Sequence, residues 1–394
     1  VCQEKLAEGH LSCPGKAGNG MRAKEAADSV LQRLEAAGYE AWAVGGCVRD
    51  SLLGRTDHDW DMTTSAMPQQ VLALFPHCVP TGLQHGTVTV RESGYAFEVT
   101  TYRAETGYSD GRHPDAVSFV GTLAEDLARR DFTVNAMALD VRGRLVDLHG
   151  GREDLKYRLL RCVGEPKRRF QEDALRMLRA VRFSAQLGFA IEPETRRAMA
   201  ACADGCTVLS AERIRDEVEK TLRSPEPYRA LELLDYGMLR AVGLEPGTAQ
   251  PWPTVTIDSP ATAWAAFRLA VPDFDPTIMR LDKKTGRLAV ETAALYGPEL
   301  TMDRLKRVVA DHGWDVGRCL CALYGQTDLA EELERSGDCV TLAQLAITGR
   351  DLPVTGPAVG RLLRQLLNHV LEVPADNERT RLLELAAIWK ENTL

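Results

Sequence analysis

The chain lacks the marks of a membrane or secreted protein. None of its apolar runs approaches the roughly 18 residues that a helical span requires. Residues 1–20 contain no apolar core like that of a secretory signal. Its ten cysteines (Cys2, Cys13, Cys47, Cys78, Cys162, Cys202, Cys206, Cys319, Cys321 and Cys339) show no pair-and-pair spacing. That pattern argues against a structural zinc site and reads as free thiols in a reducing cytoplasm. Internal repeats, low-complexity tracts and a His-Asp phosphohydrolase signature in residues 220–340 are all missing. Positive charge is also in deficit: 48 Lys and Arg face 56 Asp and Glu, a net charge of −8. Taken whole, that is a poor complement to nucleic acid. The charge is uneven, however, because residues 151–183 hold ten Lys/Arg against five Asp/Glu. Affinity for phosphate backbones follows such a local patch more than the overall sign. The remaining composition, 44% hydrophobic and 26% charged, is that of a soluble globular protein. A chain of 394 residues is too long for one compact core, so two or more domains are expected.

The most informative stretch is residues 44–66. A strand ending at Val44 delivers the chain to Gly45 and Gly46. Without Cβ atoms, these two let a phosphate chain lie against the backbone. Arg49 and Asp50 follow on a short helix. Asp59 and Asp61 are two residues apart, a spacing that on a strand points both carboxylates to one face. Converging carboxylates are costly unless a divalent cation sits between them, and Mg²⁺ binds through one or two carboxylates together with substrate phosphates. A phosphate cradle beside paired aspartates therefore indicates metal-assisted nucleotidyl transfer. Asp57 lies in phase with the pair, so Asp57/Asp59 is a rival register. The Thr63-Thr64-Ser65-Ala66 sequence favours Asp59/Asp61.

The run Gly45-Gly46-x-Val48-Arg49-Asp50, then Leu52-Leu53-Gly54-Arg55 and Asp59-x-Asp61-x-x-Thr64-Ser65-Ala66, resembles motif A of the class II tRNA nucleotidyltransferases. That family comprises CCA-adding enzymes and bacterial poly(A) polymerases. The resemblance continues in order. Glu125-Asp126-Leu127-Ala128-Arg129-Arg130-Asp131-Phe132-Thr133-Val134-Asn135-Ala136 matches motif B, which implies that Arg130 and Asp131 contact ribose and phosphates, with Asn135 nearby. Asp147-Leu148-His149-Gly150-Gly151 is similar to the hinge after the catalytic head. Glu105 to Asp115 is polar and carries Gly and Pro. It resembles the family's flexible loop at Glu105, Tyr108, Asp110, Arg112 and Pro114, a loop associated with addition of the terminal A. His113 departs from the usual basic residue.

Around Glu172 a single helix is expected, with Leu175, Met177, Leu178 and Val181 as its buried stripe. Glu172, Asp173, Arg176, Arg179 and Arg182 would lie on the other side, with Asp173 and Arg176 adjacent. By itself this is a charged solvent face. Yet an Asp accepts from an exocyclic amine and an Arg donates in a fork, so such a pair can read the edge of a base. In the family Glu-Asp-x-x-Arg does so, which gives that role to Asp173 and Arg176. Arg179 and Arg182 stand near the nucleotide by the same match. Ala174-Leu175 occurs where poly(A) polymerases usually have Pro-Val, which favours CCA addition. On the strand Tyr95 to Thr101, Glu98 is either a third acidic group over the metal or a solvent-facing glutamate.

The resemblance implies an α+β protein: an N-terminal α/β nucleotidyltransferase head of the polymerase β-like kind, then an elongated all-helical neck, body and tail. Expected limits are a disordered leader at 1–21, the head at 22–150, the neck at 151–205, the body at 206–340 and a tRNA-binding tail at 341–394. In that tail, Arg350, Arg361 and Arg364 near a Gly-rich helix start can hold RNA phosphates, and the same pattern also reads as a simple helix cap followed by a packing helix. Strands are expected near 40–45, 58–63, 86–91 and 95–102, and helices at 22–38 and 68–75. The implied activity is addition of CCA to the 3′ end of tRNA from CTP and ATP, with A-only or poly(A) addition as alternatives. A non-catalytic RNA-binding relative is a further alternative, disfavoured by the intact Asp59 and Asp61. The implied cofactor is a pair of Mg²⁺ ions on Asp59 and Asp61. The implied partners are nucleotides and the acceptor stem and elbow of tRNA, for a cytoplasmic monomer or homodimer with no membrane contact.

Overall fold

The structure, a computed structural model, describes residues 16–55, 59–106 and 116–389. The chain divides into two compact units, residues 1–209 and 210–394. The first begins with α1 (Lys16–Ala36), β1 (Ala41–Val44), α2 (Gly46–Leu52), β2 (Asp61–Thr64), α3 (Pro68–Leu74), β3 (Cys78–Gly82), β4 (Thr87–Glu92) and β5 (Tyr95–Thr101). A hairpin of β6 (Arg103–Thr106) and β7 (Ala116–Phe119) follows. Next come α4 (Leu123–Ala128), β8 (Met137–Leu139), β9 (Leu145–Asp147), α5 (Gly151–Tyr157), β10 (Leu159–Leu160), α6 (Pro166–Glu172), α7 (Leu175–Leu187), β11 (Ala190–Ile191) and α8 (Pro193–Cys202). Seven strands form one mixed sheet in the order β3-β4-β5-β2-β1-β8-β9.

The sheet puts β1 and β2 in its interior, and all four β1 residues are buried. Alternation then sorts the side chains. Ala43, Met62, Val88, Val90, Phe97 and Val99 are buried on the face packed by α1 and α3. Trp42, Val44 and Ala138 join Leu123 and Leu127 of α4 in a core on the other. Asp61, the first residue of β2, and Glu98, in the middle of β5, share that second face.

The second unit is helical: α9 (Ala211–Leu222), α10 (Ala230–Asp235), α11 (Pro260–Ala270), α12 (Lys283–Leu295), α13 (Met302–His312), α14 (Trp314–Leu323), α15 (Thr327–Ser336), α16 (Pro357–Glu372) and α17 (Arg379–Trp389). One of its hydrophobic clusters runs from Ala261 to Val340 and another from Cys339 to Ala386. Among the described residues no helix is long and apolar enough to cross a membrane.

The α/β head followed by helices is as expected; several details differ. Helix α1 starts at Lys16, inside the stretch expected to be a leader, while residues 1–15 lie outside the described residues. Strand β2 starts at Asp61, so Asp59 stands on its approach and not on the strand. Strand β3 was not expected. It is the sheet edge, exposed along most of its length, and tolerates Pro80 because an edge strand has an unpaired side. The single helix expected through Glu172 to Phe183 is two helices broken at Asp173, whose backbone is extended (φ −147°, ψ 107°). Its carboxylate accepts from the N–H of Leu175 at 3.0 Å, satisfying an end that a continuous helix would not have.

Candidate active site

The site is assembled by strand pairing. Val44, the last residue of β1, is opposite Asp61, the first of β2, and Asp61 is opposite Glu98 on the parallel neighbour β5. The glycine turn that follows Val44 therefore lies beside the Asp61 carboxylate. Gly45 adopts φ +79°, and a Cβ there would sit 3.2 Å from Nη1 of Arg130 and 4.0 Å from Oδ2 of Asp61. Only glycine meets both demands without strain. Cys47, on the first turn of α2, is buried and donates its S–H to the Val44 carbonyl at 3.1 Å, which fastens the turn. Burial pushes its thiol up to about 12, so it remains a neutral packing group.

The carboxylates at this spot are felt electrostatically. Asp61 is pushed up to about 6, first by loss of water around it, then by Glu98 and Asp59, while Arg130 opposes the rise. The residue nevertheless keeps an exposed edge, as do Asp59 and Glu98. Among the described residues no three His, Cys, Asp or Glu side chains are gathered closely enough to hold an ion by themselves. The donor set fits Mg²⁺ of the kind that binds through one or two carboxylates and completes its shell with substrate phosphates and water. Asp57 lies outside the described residues.

Helix α4 brings in the next groups. Asp126 is fully buried and faces the sheet. Its Oδ1 accepts from Arg129 Nε at 3.0 Å and Nη2 at 2.9 Å, and from the Arg103 N–H at 3.4 Å. Its Oδ2 accepts from Arg130 Nη2 and from Thr63 Oγ1, both at 3.3 Å. Burial alone would raise this carboxyl, but the guanidinium groups of Arg129 and Arg130 outweigh it and hold it below its usual range. No motif in the sequence gives Asp126 a role of its own. The available signal was its spacing, three and four residues before Arg129 and Arg130 on one helix turn.

Asp131 follows, and its Oδ2 accepts from Arg179 Nη2 at 2.6 Å and Nε at 2.9 Å. Its Oδ1 accepts from the Phe132 N–H and from Asn135 Nδ2. Asn135 in turn accepts from Arg49 Nη1 at 2.7 Å, and Arg49 grips Asp50 with Nε and Nη2. Arg49, Arg179 and Arg182 surround the ring of Phe183 at 5.3, 5.2 and 4.1 Å. Arg49 and Asn135 thus form a brace between α2, the Asp131 segment and α7.

Asp173 is the break between α6 and α7, and Arg176 lies in the first turn of α7. Arg176 is buried and donates to Glu172 at 2.8 Å, to the Arg169 carbonyl and to the Arg129 carbonyl, both at 3.1 Å. The base-reading candidate is therefore latched to the backbone one residue before Arg130. The glycine pair expected as a hinge is tightly held. A Cβ on Gly151 would lie 2.4 Å from the Thr133 carbonyl, and Asp147 accepts from the N–H groups of Gly151 and Arg152. Glu105 lies on β6, whereas Tyr108, Asp110 and Arg112 lie outside the described residues. In the second unit, Arg364 donates to the Ala310 carbonyl and meets Asp311 at 3.4 Å.

Comparison with known proteins adds the following. Residues 41–161 match the Poly A polymerase head domain, and residues 188–245 match the probable RNA and SrmB-binding site of polymerase A. A CCA-adding enzyme of Levilactobacillus brevis is 38% identical over 385 residues, covering 91% of this chain and 96% of that protein. One from Limosilactobacillus reuteri is 37% identical, covering 91% and 95%. Among solved structures, the Bacillus stearothermophilus CCA-adding enzyme in complex with CTP superposes with a TM-score of 0.78 at 33% identity, over 93% of this chain and 98% of that one. The Thermotoga maritima CCA-adding enzyme complexed with tRNA shares the fold at a TM-score of 0.61 and 19% identity, over 91% and 94%.

Proposed function

This chain belongs to the family of CCA-adding enzymes, and from that premise we propose that it adds C, C and A, without a template, to the 3′ end of tRNA, taking CTP and ATP and releasing pyrophosphate. The observation that carries the reading is the pairing of Val44 with Asp61 and of Asp61 with Glu98, which sets a glycine turn beside two neighbouring carboxylates. The likeness to the structure holding CTP supports a nucleoside triphosphate there.

Asp59 and Asp61 would hold Mg²⁺, with Glu98 beside them, and the metal when bound supplies activation of the primer 3′-hydroxyl and charge neutralisation on the pyrophosphate. The chain's own residues bind and orient. Gly45 and Gly46 let the triphosphate lie against the main chain, and the Arg130 guanidinium beside Gly45 donates to its oxygens. Arg179, fixed by Asp131, donates toward the sugar and phosphates from α7. Asp173 and Arg176 read the Watson–Crick edge of the base. For that, Arg176 must share or exchange its bonds to Glu172 and to the Arg129 carbonyl. Positioning and preorganised charge then account for most of the rate.

The deciding assay incubates the protein with tRNA lacking one, two or all three terminal residues, offering each NTP singly and together. Completion of CCA from every substrate is expected. Addition of A alone to ends already carrying CC would give an A-adding enzyme, and runs of A would give a poly(A) polymerase. Asp59→Ala or Asp61→Ala should lower incorporation by at least roughly 100-fold while tRNA binding survives. Turnover near wild type in both variants would remove these carboxylates from the reaction.

A further inference from the structure

We propose that Asp126 is the positioning residue for the triphosphate site: it aims Arg130 at the glycine turn and keys that guanidinium to the strand that carries Asp61. The assignment rests on the reading above that Gly45, Gly46 and Arg130 seat the triphosphate.

The geometry is specific. Asp126 is fully buried on α4, and each of its two oxygens accepts from a different set of donors. Oδ1 is occupied by Arg129 and by the backbone N–H of Arg103, the first residue of β6. Oδ2 takes Nη2 of Arg130 and the hydroxyl of Thr63, whose proton is shared with the Thr100 carbonyl at 3.2 Å on the neighbouring β5. Thr63 is two residues beyond Asp61 on β2, so its side chain shares a face with the Asp61 carboxylate. Arg130 spans the remaining distance. With Nη2 held by Asp126, its Nη1 reaches the Asn135 carbonyl at 3.5 Å and packs against Gly45. One carboxylate thereby joins three pieces of the site: the metal strand through Thr63, the phosphate turn through Arg130, and the base of the β6–β7 hairpin through Arg103.

An arginine has many rotamers, and an unrestrained guanidinium beside Asp61, Asp59 and Glu98 would be drawn onto those carboxylates and away from an incoming phosphate. A buried, fully bonded aspartate prevents this by fixing one edge of the fork and leaving the other toward the turn. The triphosphate is common to every NTP, so the effect of Asp126 must be blind to the base. That separates it from Asp173 and Arg176.

The test uses the full chain with Asp126→Asn, Arg130→Ala and the double variant, assayed for CTP addition to tRNA lacking CCA and for ATP addition to tRNA ending in CC. Loss of a group that orients a ligand-binding residue typically costs roughly 10–100-fold. Asp126→Asn should raise KM for CTP and ATP by the same factor in that range, with tRNA affinity unchanged and the preference between the two NTPs preserved. The double variant should be no worse than Arg130→Ala alone. An unchanged KM in Asp126→Asn, unequal effects on CTP and ATP, or additive losses in the double variant overturns the proposal. If Arg130→Ala itself leaves both KM values unchanged, the triphosphate reading fails first, and the two failures are told apart. Should Asp126→Asn not fold, Thr63→Val loosens the same carboxylate without unpairing a charge. A shared rise in both KM values supports the assignment, and unchanged values overturn it.

Discussion

Asp131 shows how one buried charge can serve both stability and the candidate site. Burial would raise its carboxyl, but Arg179, Asn135 and the Phe132 N–H outweigh that and bring it down to about 2 from 3.8. A carboxyl whose folded pKa is depressed stabilises the fold fully above the unfolded value, and that contribution disappears as pH falls through the folded value. Because Arg179 keeps about a third of its side chain exposed, the contribution is on the order of 1–2 kcal/mol. Asp131→Asn should therefore be less stable than the parent at pH 7, and the gap should close as pH falls from about 4 to about 2. Denaturant titrations across that range decide it, and a gap independent of pH would dissociate Asp131 from the ion pair. Several candidate site residues were legible singly because their neighbours in sequence single them out. Gly45, Gly46, Asp61, Arg130 and Asp131 sit in short motifs whose chemistry is local. Asp126 was not, because a buried aspartate amid surface-like Glu and Arg looks like any charge on a helix until its partners Thr63 and Arg103 are known.

Among elements, the β6–β7 hairpin has the clearest consequence. Its arms pair Arg103 with Phe119 and Thr106 with Ala116, and it is anchored through the Arg103 N–H to Asp126 and through the Arg103 side chain to the His85 carbonyl. A segment joining two arms anchored in this way can act on a neighbouring site while few packed contacts break. Deleting residues 107–114, or replacing Asp110 and Arg112 with Ala, should leave C addition largely intact and stall products at CC. Products resolved on a sequencing gel check this. A complete CCA end from the deletion variant refutes a switching role, and loss of C addition as well would mean that the loop supports the whole site. The break between α6 and α7 was hidden from the sequence for a physical reason. Apolar spacing continues through Leu175 to Val181 in helical phase, and nothing in the pattern marks Asp173 as bonding its own backbone instead of facing solvent.

For the whole molecule, overall charge misleads and even the local patch needs qualification. Of the ten basic residues in 151–183, at least six are paired with carboxylates: Lys156, Arg161, Arg168, Arg169, Arg176 and Arg179. Charges already neutralised by protein release few counterions on binding RNA. The logarithm of tRNA affinity should therefore fall with the logarithm of salt concentration less steeply than the slope of about −9 that ten fresh phosphate contacts would give on duplex. Binding measured across a salt series checks this, and a slope as steep as that bound would show that those pairs open for the substrate.

The sequence by itself determined the chemistry and the class of fold. A glycine turn, paired aspartates, an Arg-Arg-Asp string and a helical remainder are encoded in contiguous residues and in their order. The α/β head with strands expected near 40–45, 58–63, 86–91 and 95–102 follows from local pattern, and the structure has strands at 41–44, 61–64, 87–92 and 95–101. Tertiary structure alone decided how these pieces meet. Glu98 reaches Asp61 only because β5 pairs with β2, and Asp126 acquires its meaning only when α4 packs on Thr63. Arg176 is fixed by a carbonyl of a distant segment. Strand register and the partners of a buried charge are set by the balance of pairing and desolvation over the whole unit, so no window of sequence contains them.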